Sequence, residues 1–246
     1  MKRSIVALIV IVFVYAGTAW ADFDISPFFE NGKLVTGGLS HEGDRISPSK
    51  TIFGYDFGED PYDPFNPSDP GVNQTAGVGN LPVGDPIRYN ILSSLLYWDG
   101  NGPVNFVAPP EQTYMTLLVG SSLKTLTGTS GPQTGSLIQT IGDGGFVHKH
   151  FTTSLYAAPG AGNIPDIGDL TYIEPTTGIY AFSMELTLTV SGKTYVSDPL
   201  WIVWNNGMSE EVHDAAMAAV PEPASIVLLL AGGLAVFRRR YRSLNK

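Results

Sequence analysis

Cysteine is absent from this 246-residue chain, and its absence removes several kinds of site. Disulfide bonds, thiolate zinc sites, iron–sulfur clusters and cysteine nucleophiles all require the thiol side chain. If the chain is exported, its stability must come from a buried core or from bound ions. Common enzyme motifs are missing as well, since the chain has no G-x-S-x-G, H-E-x-x-H or P-loop sequence. We therefore predict that the protein is not an enzyme.

Basic side chains are few, with 14 Lys and Arg against 23 Asp and Glu and a net charge of −9. Between Asp22 and Val220 the imbalance grows to 7 basic against 22 acidic residues, a net charge of −15. Such a surface repels nucleic acid and anionic membranes, and it attracts cations or basic partners. No nucleic-acid partner is expected.

The first 21 residues have the order of a secretory signal peptide. Lys2 and Arg3 give a positive start, Ile5 to Val14 form an apolar core, and Ala19-Trp20-Ala21 is a small-residue cleavage site. Polar sequence follows at once. We predict that residues 1–21 direct export and are removed.

Helical periodicity is nearly absent from residues 22–208, where Gly and Pro recur every few residues. The clearest strand is 180–190, in which six apolar residues alternate strictly with small and polar ones. The turn Ser191–Lys193 predicts a hairpin to a partner strand that Pro199 interrupts. Short strands between turn signals predict an all-β ectodomain, an antiparallel β-sandwich or jelly roll. The other predicted strands are 33–39, 51–57, 87–98, 113–120, 135–141, 146–156 and 194–204.

Two segments break this pattern. Residues 56–71 hold four prolines in 16 positions, which predicts a long surface loop. Oxygen ligands at this density can hold Ca²⁺, although the spacing is not that of an EF-hand. The acidic residues of the loop are Asp56, Glu59, Asp60, Asp63 and Asp69.

The second segment, residues 209–219, is predicted as a short helix or stalk.

The end of the chain, residues 220–246, has three parts in a fixed order. Pro221-Glu222-Pro223 comes first, and the two prolines keep this strip extended. An uncharged run of 15 residues follows, Pro223 to Phe237, which as a helix spans roughly 22 Å, a marginal membrane crossing. The last part is a cluster of arginines that the positive-inside rule places in the cytoplasm: Arg238, Arg239, Arg240 and Arg242.

This order resembles the PEP-CTERM sorting signal of Gram-negative bacterial surface proteins. The resemblance implies that an exosortase, a membrane enzyme, recognises Pro221-Glu222-Pro223 and cuts nearby. The body would then pass from its membrane anchor to the cell surface or the exopolysaccharide matrix. An ordinary C-terminal anchor is the alternative. More loosely, segments 32–38, 95–100, 143–151 and 197–207 resemble planctomycetal PEP-CTERM proteins of unknown function, which supply no activity to carry over.

One pair of side chains in the body indicates a possible metal site. His148 and His150 lie two apart in a predicted strand, so both imidazoles point to one face. Together with a third ligand, from a neighbouring strand or from nearby Asp143, they can share a metal ion. The alternative is a pair of ordinary strand histidines. The cofactor expectation is therefore Zn²⁺, Ca²⁺ or none.

A carbohydrate-binding or carbohydrate-active domain is a further alternative, since Trp98, Trp201 and Trp204 can stack on sugar rings if they are exposed. Trp201 and Trp204 fall on opposite faces of the predicted strand 194–204, which predicts that at least one of them lies in the core. The sequence as a whole predicts an exported protein with a structural or adhesive body. Its expected partners are an exosortase, extracellular polysaccharide or matrix components, and the membrane before processing.

Overall fold

The computed structural model describes residues 23–40, 45–47, 49–157 and 174–220. The predicted signal peptide, His41 and the segment from Pro221 onward lie outside these residues. The described chain forms fifteen strands, one 3₁₀ turn at Asp143–Gly145 and one helix, α1, at Glu210–Ala219. The strands are β1 Phe23–Glu30, β2 Lys33–Ser40, β3 Arg45–Ser47, β4 Ile52–Asp56, β5 Gly71–Gln74, β6 Pro86–Ile91, β7 Leu96–Trp98, β8 Thr113–Val119, β9 Ser122–Leu126, β10 Leu137–Thr140, β11 Val147–His150, β12 Thr152–Ala157, β13 Gly178–Val190, β14 Lys193–Val196 and β15 Leu200–Asn206.

Three sheets result, which confirms the all-β prediction. Their strand orders are β11-β5-β1-β2-β3, β10-β6-β13-β15-β4 with β7 and β14 also paired to β13, and β12-β8-β9. The prediction of antiparallel pairing is wrong at two places, because β1 pairs with β5 and β15 pairs with β4 in parallel. Each of these partners is distant in sequence, so no hairpin imposes an antiparallel direction. The sandwich or jelly-roll topology stays a prediction.

Strand β13 occupies the centre of the largest sheet. It pairs with β15 and β7 along its first half and with β6 and β14 along its second. The predicted hairpin is confirmed: Val190 faces Lys193, and Ser191 and Gly192 have φ values of 49° and 79°. A two-residue turn with positive φ at both positions matches the twist of the strands it joins.

The core lies between the sheets. Buried side chains from all three sheets form one hydrophobic cluster, and in it Trp204 is fully buried and stacks on Phe57 at a ring-centroid distance of 4.4 Å. A smaller cluster lies under α1 on the opposite face of β13 and β15. Its buried members are Trp98, Ile179, Ala181, Val203, Ala216 and Val220.

The loop from Phe57 to Pro70 is fixed along β12. The backbone N–H groups of Phe151, Thr153 and Leu155 donate hydrogen bonds to carbonyls of this loop, each at 3.0 Å. The acceptors are Pro70, Pro67 and Phe65. Prolines lack an N–H but keep their carbonyl, so this loop can accept hydrogen bonds from the neighbouring strand.

Gly135 is required by a close backbone approach. A Cβ atom at this position would lie 0.8 Å from the carbonyl oxygen of Tyr89, whereas one at Gly131 would meet nothing within 4 Å. We expect Gly135→Ala to lower the free energy of unfolding by about 3 kcal/mol, since overpacked backbone must move. Gly131→Ala should leave it unchanged or raise it by about 0.4–1 kcal/mol. Urea unfolding of the full chain in detergent measures both, and equal effects would contradict the packing.

Candidate metal centre

Strand β11 places the two predicted histidines side by side. It pairs antiparallel with β5, so that His148 faces Asn73 and His150 faces Gly71. The two imidazoles share one face of the strand, and their Nε2 atoms lie 3.2 Å apart. His148 is exposed and His150 is half-buried. Two nitrogen ligands of a tetrahedral zinc, each at about 2.0–2.1 Å, are separated by roughly 3.3 Å.

A backbone carbonyl fixes the orientation of His150. Its Nδ1 atom lies 2.8 Å from the carbonyl oxygen of Ser68. A carbonyl only accepts, so Nδ1 must carry the hydrogen and donate it. In the neutral ring the lone pair is then on Nε2, the atom that faces His148. This arrangement is the one by which proteins orient a metal-binding imidazole.

Two carboxylates complete the group behind His150. Asp69 Oδ1 lies 4.0 Å from His150 Nδ1. One carboxylate oxygen of Asp24, one of Asp69 and one ring nitrogen of His150 all lie within 4.8 Å of one another. Asp69 belongs to the loop that runs along β12. Asp24 comes from β1, which the parallel pairing with β5 brings beside Gly71. Their negative charge lies where it would stabilise a cation on the imidazoles.

Asp24 has an unusual environment. Its side chain is buried, with the residue 2% exposed. Its Oδ2 accepts a hydrogen bond from Asn73 Nδ2 at 3.2 Å, whereas its Oδ1 has no hydrogen-bond partner among the described residues. A side chain at Gly71 would fill this space, because its Cβ would lie 1.9 Å from Asp24 Oδ1. A buried carboxylate with an unpartnered oxygen is costly unless a cation compensates it.

Asp143, proposed from sequence as the third ligand, lies in the exposed 3₁₀ turn before β11. Among the described residues it belongs to no group of ligand atoms close enough to share an ion. Sequence reasoning missed Asp24 altogether, and it assigned Asp69 only to the acidic loop. The long connections between β1, β5 and β11 leave no local pattern that would reveal this convergence.

The acidic loop does not gather its carboxylates into one site. Asp60 accepts a hydrogen bond from the backbone N–H of Tyr62 at 2.8 Å, and Asp63 accepts one from the Asn66 side chain. The two ends of the loop diverge, since Asp69 lies beside His150 and Asp56 lies beside His213. A calcium ion held by this loop alone therefore has no matching ligand group among the described residues.

The three tryptophans in the described part of the chain do not form an exposed stacking surface. Trp204 is fully buried, Trp98 is 5% exposed and Trp201 is half-buried. A surface pocket of about 500 Å³ lies beside Trp98, lined also by Tyr97, Asp99 and Asn101. Because both of its aromatic rings are largely buried, the pocket offers a sugar little face to stack on.

Comparison with known proteins identifies the end of the chain. The family model described as the PEP-CTERM protein-sorting motif matches residues 219–243. No curated protein and no solved structure matches the chain. Pro221, Glu222, Pro223 and the four arginines all fall within the matched segment and outside the described residues. Within the described residues, no helix has the length and hydrophobicity to cross a membrane.

Asp24 allows a test of the buried charge. In the presence of a chelator, Asp24→Asn should raise the free energy of unfolding by about 1–3 kcal/mol, because the neutral amide removes a negative charge that is buried without a cation to compensate it. Its remaining oxygen can still accept the hydrogen bond from Asn73. Asp198→Asn, an exposed change of the same type, should stay within about 0.5 kcal/mol of the wild type. Urea unfolding that shows Asp24→Asn to be the less stable variant would overturn this reading.

Proposed function

Because the chain carries a PEP-CTERM sorting motif, we propose that it is an exported protein which an exosortase cuts at or near Pro221-Glu222-Pro223 and releases to the cell surface or extracellular matrix. The match to residues 219–243 carries this proposal. The proline-containing strip, the apolar run and the arginine cluster follow one another in the order that the sorting signal has. The signal peptide predicted at residues 1–21 gives the same topology, with the body outside.

The structure supports a sorting signal that begins directly at the folded body. His213 and Ala216 of α1 are buried, and Val220 is 3% exposed against Trp98 and Val203. The segment 209–219, for which the sequence left a helix or a stalk open, is a helix packed on the sheet. Pro221 is the next residue. An exosortase that reads the PEP strip must therefore approach the face of the body that α1 covers.

We assign the body a structural or adhesive role, with no catalysis, as a β-sandwich that contacts polysaccharide or other matrix components. Three sheets around one core give a rigid body that needs no disulfide bond. The net charge of −15 on the span Asp22 to Val220 favours contact with basic groups or with cation-bridged acidic polymers. The buried tryptophans weigh against a sugar site that depends on aromatic stacking.

The sorting proposal predicts that Glu222→Gln blocks processing in the native host. The full chain, with residues 224–246 still attached, should then accumulate in the cytoplasmic membrane. Glu174→Gln is the matched control, because Glu174 is exposed and also precedes a proline. Fractionation followed by intact mass spectrometry reads the outcome. A wild-type protein that remains uncleaved in the membrane would sink the proposal, as would normal cleavage of Glu222→Gln.

Metal binding by the body is a second candidate function, and the 3.2 Å separation of the two Nε2 atoms favours it. His148 and His150 would be the ligands, while the Ser68 carbonyl, Asp69 and Asp24 orient His150 and supply negative charge behind it. A zinc ion held in this way would occupy an exposed edge of the sheet, where further ligands from a partner or from water can complete its coordination.

We expect the full chain, stripped with a chelator and held in detergent, to lose one equivalent of zinc uptake when His148 and His150 are both changed to alanine. Asp69→Asn should weaken the same uptake about 10–100-fold, as loss of a group that supports a ligand does. Asp143→Asn should bind as the wild type does. Equilibrium dialysis measures the three variants. Uptake unaffected by the double histidine variant, or lost with Asp143→Asn, would exclude this site.

A further inference from the structure

Helix α1 has a second group of metal-binding side chains, remote in sequence from His148 and His150. The helix begins after Ser209 and packs on strands β4 and β15. Gly54 of β4 permits this contact, because a Cβ there would lie 2.4 Å from Met217 Sδ and 3.0 Å from the His213 ring. His213 is fully buried between the helix and the sheet.

The hydrogen bonds of His213 leave one nitrogen without a partner. Its Nε2 lies 3.3 Å from the backbone carbonyl oxygen of Val203, so Nε2 carries the hydrogen and donates it. In the neutral ring the lone pair is on Nδ1, which is buried and has no hydrogen-bond partner among the described residues. Asp56 Oδ1 lies 3.7 Å from this nitrogen. A lone pair that faces a carboxylate is repelled unless a cation lies between them.

Two carboxylates surround His213 Nδ1. Asp56 ends strand β4, and its Oδ1 accepts a hydrogen bond from Asn205 Nδ2 at 2.7 Å, which holds it in place. Asn205 is fixed in turn, because its Oδ1 accepts a hydrogen bond from the Met208 backbone N–H at 2.9 Å. Glu210 lies three residues before His213, on the same face of the helix. Ligand atoms of Asp56, Glu210 and His213 all lie within 4.8 Å of one another.

We propose that Asp56, Glu210 and His213 bind a divalent cation of the zinc class, which fastens α1 to the sheet immediately before the sorting motif. One imidazole nitrogen and two carboxylates suit zinc, and their two negative charges balance the ion. The Val203 carbonyl orients His213 as a second-shell partner orients a ligand. Glu210 is exposed and gives the ion a path from solvent. The spacing Glu-x-x-His on a helix recurs in carboxylate metal proteins.

This ion would control the packing of the residues that directly precede the sorting motif. Helix α1 ends at Ala219, and Val220 is buried beneath it, so release of the helix would also release the residue that precedes Pro221. The metal-bound form therefore holds Val220, the residue before the PEP strip, in place on the body. The metal-free form holds the helix only by its apolar contacts and by the hydrogen bond of His213 to Val203.

The test uses the full chain with His148→Ala and His150→Ala, so that zinc at the other group does not contribute. Because His213 is buried, its substitution risks unfolding the protein. The test therefore substitutes the exposed ligand Glu210 and compares it with its neighbour Glu211. After chelator treatment in detergent, this background should bind one zinc per chain by equilibrium dialysis. Adding Glu210→Gln should weaken binding at least tenfold. Adding Glu211→Gln, which removes the same charge from the next residue, should leave it within twofold.

Hydrogen exchange of the α1 amides gives a second, local readout. Zinc should slow exchange across Glu210–Ala219 in the background and in Glu211→Gln, but not in Glu210→Gln. Two results would overturn the proposal: no zinc uptake by the background, or equal uptake by the Glu210 and Glu211 variants. Each result is independent of whether His148 and His150 bind metal.

Discussion

The pairing of β13 with its neighbours is the constraint on which the rest of the described structure depends. This 13-residue strand forms backbone ladders with β6, β7, β14 and β15. Its first half is buried on both faces, because one face meets the main core and the other meets α1. With no cysteine in the chain, this burial must supply what disulfide bonds supply in other exported domains.

The loop from Phe57 to Pro70 links the two histidine groups. Asp56 lies just before the loop and belongs to the group at His213, whereas Asp69 lies at its far end and belongs to the group at His150. The loop is held in place because its carbonyls accept two hydrogen bonds from β12 and a third from Phe151, the residue before that strand. The high proline content of the loop contributes to this arrangement, because each proline restricts the backbone and still offers a carbonyl oxygen as a hydrogen-bond acceptor.

Strands with strict alternation were predictable from sequence, and so was the hairpin at Ser191–Gly192, because both depend on neighbouring residues alone. Strand β1 was missed, although Asn31-Gly32 is a strong hairpin signal and both residues have positive φ. The predicted strand 146–156 divides at Phe151 into β11 and β12, which belong to different sheets. The position of Asp24 beside His150 depends on parallel pairing over long connections, which no local pattern encodes.

The two histidine groups differ in ways that suit different tasks. His148 is exposed at a sheet edge, so an ion there remains open to a partner, whereas His213 is buried between α1 and the sheet, so an ion there acts on the packing of the helix. Of this second group, His213 lies within ten residues of Pro221, and a sorting enzyme needs its recognition strip accessible. A body that holds Val220 in its apolar cluster limits the directions from which that strip can be reached. The packing at the end of α1 therefore affects how an enzyme can reach the sorting signal, and the sequence of the signal alone does not reveal this packing.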